Sequence, residues 1–396
     1  MGTTEVAMTT LKAWDADGHV EEWERTFSDD YLEPKFRDRR PKIVHPEGSS
    51  SFLWQVAGRE DLYKVGGSPT AMNGVPSREQ VNLIEWRGSV ESSEVHTPED
   101  RFKVLDAEDT ELQINYPTMF LGHPVSYDLE YNWGITRSYN NWIADISSQA
   151  PERLKWVTVI DPRDVKESVR EIERTKDMGS VGIMVHGVYG NKTIDDEEFE
   201  PIWAAARDTG LPLAVHPGMV AFDLQETHRP FADIQFKYSV LMGFNRIMVS
   251  GILDRFPTVK VGFLETGCGW AEFCLYAANE YIETVYQRRN AGLPREPFTG
   301  RSVDLAVSDL RPEEYMKRGQ VFIGFEVEED VISYLVDKYG PDCWLYASDI
   351  PHGHRVINAP HHFAERTDLS DVAKRKLLKD NTAAFYGLDL NGSSSN

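Results

Sequence analysis

Short unbroken apolar runs alternate along the chain with longer stretches in which apolar residues return at helical spacing, the rhythm of buried strands and amphipathic helices. The first run is brief: Leu11 and Ala13 lead into Trp14-Asp15-Ala16-Asp17-Gly18-His19. Later runs read as strands at 112–117, 156–162, 181–185, 213–216, 259–264, 321–325 and 344–348. Between them the spacing predicts helices over 165–176, 195–208, 236–253 and 271–288, the last strongly amphipathic, with others through 139–143 and over 370–385. Thr97-Pro98-Glu99-Asp100 offers an N-cap followed by proline at the first helical position, and predicts a helix from there to about 109.

Eight strands, most followed by a helix, are the pattern of an α/β chain folded as a (β/α)₈ TIM barrel. Continuous apolar strands fit a parallel sheet buried on both faces. The rival is a doubly wound sheet, but no G-x-G-x-x-G turn follows the first strand, which removes its dinucleotide-binding form. The reading is therefore a single domain over 1–390 with a long insertion after the first strand and a polar, disordered tail at 391–396. The insertion, residues 20–100, is rich in Glu, Arg, Pro, Gly and Ser and carries Trp23, Trp54 and Trp86. A segment this long inside a compact fold is usually functional, and here it is expected to cap the barrel mouth.

Composition narrows the partners. A formal charge of −22 argues against nucleic acid and against anionic membranes. No apolar run is long enough to span a bilayer, and no basic segment followed by an apolar one marks a signal peptide. The three cysteines, Cys268, Cys274 and Cys343, have no C-x-x-C spacing and form no disulfide framework, so a reducing cytoplasm is the natural compartment. The expected partners are a small-molecule substrate and further copies of the chain, as a homodimer or larger homo-oligomer.

Candidate chemistry gathers at the strand ends. Asp17 and His19 are two apart and share a face of the first strand. His216 ends the fifth, Glu265 the sixth and Asp349 the eighth. Taken singly, each has an ordinary explanation: a buried histidine, a turn aspartate, an N-cap. Their joint position at the C-terminal ends, where barrel active sites lie, is the stronger observation. Asp17, His19, His216 and Asp349 make a mixed N/O set able to hold one divalent cation and leave a position open.

Five stretches resemble one family: Asp17-Gly18-His19 with Val20-Glu21, Asn115-Tyr116-Pro117-Thr118, Val215-His216-Pro217-Gly218, Phe263-Leu264-Glu265-Thr266-Gly267, and Ala347-Ser348-Asp349-Ile350-Pro351-His352. Together they look like the amidohydrolase-related family, the branch of the amidohydrolase superfamily that contains aminocarboxymuconate-semialdehyde decarboxylase and the hydroxybenzoate decarboxylases. The likeness runs from about Trp14 to Leu388 and covers the 20–100 segment poorly. It implies a distorted barrel with one divalent metal, zinc first, manganese or iron as alternatives. Asp17-x-His19 stands where the family commonly has His-x-His, and His216 and Asp349 match its strand-five His and strand-eight Asp. Glu265 stands where the decarboxylases commonly carry a histidine. Strand four ends in His186 with no lysine, which favours one metal over two.

Around this set, Glu265, Asp349 and His216 are the candidate catalytic residues. Arg229, His352, His123 and His186 are candidates for substrate binding. Arg229 has the geometry to clamp a carboxylate, with a surface salt bridge as the plain alternative. His186 is open to a substrate-side or a structural role, and Cys268 reads as packing. With four other ligands available, Glu265 is expected farther out, as a general acid.

Two reactions fit. One is decarboxylation of a small aromatic or unsaturated carboxylic acid, with Glu265 or Asp349 delivering the proton. The other is hydrolysis of an amide, ester or C–C bond by a metal-activated water. A barrel that has lost catalysis and only binds is a third reading, opposed by the presence of all four ligand candidates.

Overall fold

A computed structural model describes residues 11–44, 47, 53–59, 89–218, 233–293, 295, 307–352 and 356–390. Eight parallel strands lie side by side in chain order: β1 (Ala13–Val20), β2 (Thr110–Pro117), β3 (Leu154–Val159), β4 (Gly182–Val185), β5 (Leu213–Val215), β6 (Val261–Phe263), β7 (Val321–Phe325) and β8 (Trp344–Tyr346). Helices α1 (Pro98–Ala107), α2 (Leu129–Ser148), α3 (Val165–Asp177), α4 (Glu200–Thr209), α5 (Asp233–Val249), α6 (Ala271–Asn290), α7 (Pro312–Lys317) and α8 (Val331–Tyr339) cover the outside. This is the expected (β/α)₈ barrel, nearly closed.

Strand alternation sorts the core into two shells. Val185, Leu213, Val215, Val261, Phe263 and Ile323 point outward to the helices. Met184, Ala214, Leu264, Phe322 and Leu345 point inward. The closing helical segment, Asp371–Tyr386 with a π turn over Lys376–Asp380, plugs the N-terminal end. There a Cβ on Gly262 would lie 2.6 Å from the ring of Phe385, so only glycine lets the plug seat. Tyr386 donates to the Ala16 carbonyl at 2.7 Å.

β1 carries the one register shift that matters. Asp15 pairs with Gln113 and Gly18 with Asn115, so β1 holds an extra residue, a bulge. Trp14 and Ala16 face inward. The bulge reverses the alternation, so Asp17 and His19 also face inward while Gly18 turns out. Between β1 and β8 no ladder forms among the described residues. Beyond the end of β8, Asp349 N–H donates to Asp17 O at 3.0 Å and His19 N–H to Ile350 O at 2.6 Å.

Several boundaries differ from expectation. The third strand stops at Val159, since Asp161-Pro162 cannot continue a ladder. The helix expected through 139–143 is five turns of α2, begun by an Asp128 cap on the Tyr131 N–H. α6 buries Cys274, Leu275, Ala278 and Ile282 but exposes Phe273 and Tyr276, so it is less cleanly amphipathic than its sequence suggested. The described parts of 20–100 pack beside the barrel against α1 and α2, with Phe27, Phe36 and Trp54 in a second core that also holds Ile350. Trp86 and the tail 391–396 lie outside the described residues. No helix among the described residues is long and apolar enough to cross a membrane.

Candidate metal centre

The C-terminal ends of β1, β5, β6 and β8 bring five side chains to one buried point. His216 Nε2 lies 3.3 Å from Asp17 Oδ1 and 3.2 Å from Glu265 Oε2. His19 Nε2 lies 3.6 Å from Asp17 Oδ1, 3.4 Å from Asp349 Oδ1 and 3.9 Å from Glu265 Oε2. None of these residues is more than 7% exposed. Backbone conformation aims two of them. Glu265 and Asp349 have φ of 49° and 55°, left-handed values that cost a non-glycine residue roughly 1–2 kcal/mol. On a regular strand Glu265, next to inward-facing Leu264, would turn outward; the left-handed bend brings it back to the mouth.

Hydrogen bonding at the far side of each imidazole decides which atoms face the ring. His19 Nδ1–H donates to Pro117 O at 2.9 Å and His216 Nδ1–H to Pro217 O at 3.0 Å. Each imidazole therefore presents an Nε2 lone pair to carboxylate oxygens. Both Nε2 atoms, both Asp17 oxygens and Glu265 Oε2 are buried without a hydrogen-bond partner. Lone pairs facing lone pairs in a dry site are repulsive, and the titration tendencies agree. Burial, then the charges of Asp349 and Asp17, push the Glu265 carboxyl well up. Burial also raises Asp17, against the pull of His216. Burial, then His352, holds His19 well below its usual range. A divalent cation removes all three costs. Bonds of about 2.1 Å at tetrahedral or octahedral angles place neighbouring ligand atoms about 3.0–3.4 Å apart, close to most of the separations observed. The donor set thus fits a divalent metal.

The ring is extended by His352, stacked on His19 at 4.1 Å. His352 Nδ1 is 2.7 Å from Asp349 Oδ1, and Thr118 Oγ1 lies 3.1 Å from His352 Nε2. Tyr116 stacks on His216 at 5.2 Å, and its hydroxyl meets that of Tyr386 at 2.6 Å. Beside the ring a small cavity is lined by Phe120, His123, Val125, Met184, His186 and Tyr189. His123 Nε2 donates to Asp161 Oδ1 at 2.9 Å, and Asn132 holds the other oxygen at 2.8 Å. Burial opposes charge on Asp161, yet the hydrogen bonds from His123 and Arg163 outweigh it and keep the carboxyl low. His186 Nδ1 donates to the His216 carbonyl at 3.0 Å, tying the end of β4 to a ring residue. Burial, then His123, lowers His186 to about 3.

The structure thus assembles Asp17, His19, His216, Asp349 and Glu265, sets His352 against them, and puts His123 and His186 in the adjoining cavity. Arg229 lies outside the described residues. Cys268 is buried and its thiol pushed up by burial, as packing requires. Thr118, Tyr116 and Asp161 were not singled out from sequence. Thr118 and Tyr116 sat inside a quoted motif; Asp161 was read only as part of the third strand, 156–162.

Residues 92–388 match the family model for amidohydrolases (Amidohydro_2). The chain belongs to the amidohydrolase family. It is an enzyme of the amidohydrolase-related class. The 2-amino-3-carboxymuconate-6-semialdehyde decarboxylase of Dictyostelium discoideum is 22% identical over 300 residues, 74% of this chain and 77% of that one. An amidohydrolase from Mycobacterium avium subsp. paratuberculosis K-10 superposes with a TM-score of 0.72 at 17% identity, covering 96% of this chain and 98% of the other. The 5-carboxyvanillate decarboxylase of Novosphingobium aromaticivorans, complexed with manganese and 4-hydroxy-3-methoxy-5-nitrobenzoic acid, superposes with a TM-score of 0.63 at 22% identity, over 79% and 84% of the two chains. These solved structures share the fold of this amidohydrolase.

Proposed function

We propose that this amidohydrolase is a metal-dependent decarboxylase of a small aromatic or unsaturated carboxylic acid. The observation that carries the reading is the buried ring of carboxylate and imidazole lone pairs at the barrel mouth, in a chain akin to a carboxymuconate-semialdehyde decarboxylase. Asp17, His19, His216 and Asp349 would hold the cation, with Glu265 Oε2 at a comparable distance as a fifth donor. Zinc suits two imidazoles with carboxylates, and manganese suits the carboxylate-rich set equally. When bound, the cation supplies positive charge that fixes a substrate carboxylate or adjacent hydroxyl and offsets charge developing as CO₂ leaves.

The chain's own residues handle orientation and the proton. Loss of CO₂ leaves an electron pair on carbon, which takes one proton, so a carboxylate becomes C–H. The Asp349–His352–Thr118 line is the path for that proton: His352 can carry it at Nδ1 and pass it through Asp349 toward the substrate. The His123–Asp161 pair lies beside the ring, where His123 Nδ1 would hydrogen-bond a polar substituent of the substrate. The 20–100 insertion, which follows β1 directly, would help to cap the barrel mouth.

The test is product analysis of metal-loaded enzyme with hydroxybenzoates, carboxyvanillate-like acids and carboxymuconate semialdehydes. Release of CO₂ with one solvent deuteron in the product supports decarboxylation. Incorporation of ¹⁸O from water without CO₂ would establish hydrolysis instead, which the same donor set permits.

A further inference from the structure

Two of the proposed ligand-bearing segments meet where the barrel wall is not laced by a ladder. Asp17 and His19 are on β1 and Asp349 follows β8, and their separation is set by whatever holds that seam. Besides the two backbone hydrogen bonds, Asp349 N–H to Asp17 O and His19 N–H to Ile350 O, what holds it is a buried polar chain on the outside of the wall. Arg101, on α1, is wholly buried. Its Nη2 donates to the His19 carbonyl at 2.7 Å and to the Ser93 carbonyl at 3.2 Å, and its Nη1 to Gln113 Oε1 at 3.1 Å. Gln113 Nε2 donates to Asp15 Oδ2 at 2.8 Å. Asp15 accepts in turn from Ser348 N at 2.8 Å, Ser348 Oγ at 2.5 Å and Asp17 N at 3.2 Å. Ile350 N–H donates to Ser348 Oγ at 3.1 Å.

The line therefore grips the backbone of Asp17, of His19, and of both neighbours of Asp349. Space for it is made by Gly18, the residue the β1 bulge turns outward: a Cβ there would collide with Gln113 and Asp15. A buried guanidinium is costly unless its donors are matched, and here its fork reaches three elements at once. The line meets the ligand-bearing segments through backbone atoms, Asp17 N, His19 O, Ser348 N and Ile350 N among them.

We infer that Arg101 is a positioning residue for the metal centre: from outside the barrel wall it sets the spacing between the β1 ligands and Asp349. Its contact with Ser93 also ties that spacing to the end of the 20–100 insertion. The inference rests on the ligand set proposed above. Partners that orient ligands typically carry about 10–100-fold in metal affinity.

The experiment is Co²⁺ titration of the full chain after chelator treatment, followed by visible d–d absorption and affinity, for wild type, Arg101→Met, Arg101→Lys and Ser348→Ala. Wild type should bind one Co²⁺. Arg101→Met should bind it about 10–100-fold more weakly with a displaced d–d spectrum. Arg101→Lys, which keeps one donor for the His19 carbonyl, should recover part of both. Ser348→Ala keeps the Arg101 guanidinium in place while removing one donor to Asp15 and the acceptor of the Ile350 N–H, and serves if Arg101→Met does not fold; it should shift the spectrum the same way by less. If melting temperature alone drops while affinity and spectrum stay at wild-type values in the folded variants, Arg101 is only a structural residue and the inference fails with the ligand set intact. If wild type binds no Co²⁺, the ligand set itself fails, and the inference with it.

Discussion

The two ends of this barrel are built on opposite terms. At the floor, Phe385 packs on Gly262 and Phe322, and Tyr386 closes a hydrogen-bonded line from Tyr116 to the Ala16 carbonyl. At the mouth, Asp17, His19, His216 and Glu265 keep buried polar atoms without partners, and two residues hold left-handed backbone. Unmatched buried polar atoms and strained backbone both lower stability. Both features also occur elsewhere, as at Trp142 and Val95. Their convergence on the strand ends that carry Asp17, His19, His216, Glu265 and Asp349 is what separates a site from a scaffold in this chain: the floor holds the barrel together, and a bound cation would offset the cost at the mouth.

That contrast predicts a double dissociation, the largest effects expected. His216→Ala removes an Nε2 from the ring, relieves lone-pair repulsion, and should leave melting of the metal-free protein near wild type while abolishing stoichiometric metal binding and turnover. Phe385→Ala opens a cavity under Gly262 and should cost about 3–5 kcal/mol in denaturant unfolding, with metal stoichiometry unchanged. Full metal occupancy in His216→Ala, read by elemental analysis, would remove this histidine from the proposed ligands.

A smaller effect sharpens the account of the mouth. Glu265→Gln keeps size but replaces a carboxylate oxygen. If Oε2 is a donor, metal affinity should fall by at least about tenfold and the number of protons released on metal binding should drop, because metal binding needs the charged carboxylate that burial and the neighbouring carboxylates disfavour on Glu265. For the same reason wild-type affinity should weaken as pH falls. A variant that binds metal normally yet turns over at least ~10²-fold more slowly would instead make Glu265 the general acid.

Much of this was legible in the chain. Strand-end position alone picked out Asp17, His19, His216, Glu265 and Asp349, because the C-terminal ends of a barrel converge whatever the loops do. The expected remoteness of Glu265 came from counting four sufficient ligands; nothing in Phe263-Leu264-Glu265 announces a left-handed φ, which tertiary packing imposes. Arg101 and Gln113 look like ordinary members of a capped helix and a strand. Their role depends on a bulge and a missing ladder, and both are properties of register, which a single sequence does not display. Asp161 was hidden for the same reason: its partner His123 is 38 residues away.

The smallest predicted effect tests a carboxyl next to the mouth but outside the ring. Glu22 is almost fully buried beside the start of the insertion. Its Oε2 accepts from Met119 N at 2.7 Å and Thr118 N at 3.3 Å, while Oε1 has no partner among the described residues. Burial pushes its titration up to about 8 from 4.5, the two backbone donors pulling the other way. The sign follows from proton count. Between those two values the folded chain keeps a proton on Glu22 that the unfolded chain has lost, so this group's contribution is intact in acid and is lost as pH rises through about 8. Glu22→Gln imitates the neutral form at every pH and keeps an oxygen for both N–H groups. Its melting temperature relative to wild type should therefore climb from pH 5 to pH 9 by a few degrees, at roughly 2 °C per kcal/mol for a large domain. Scanning calorimetry of both proteins at saturating metal measures that difference, and a difference that does not change with pH would mean that Glu22 is already ionised in the fold, its charge matched at the insertion's root rather than suppressed there.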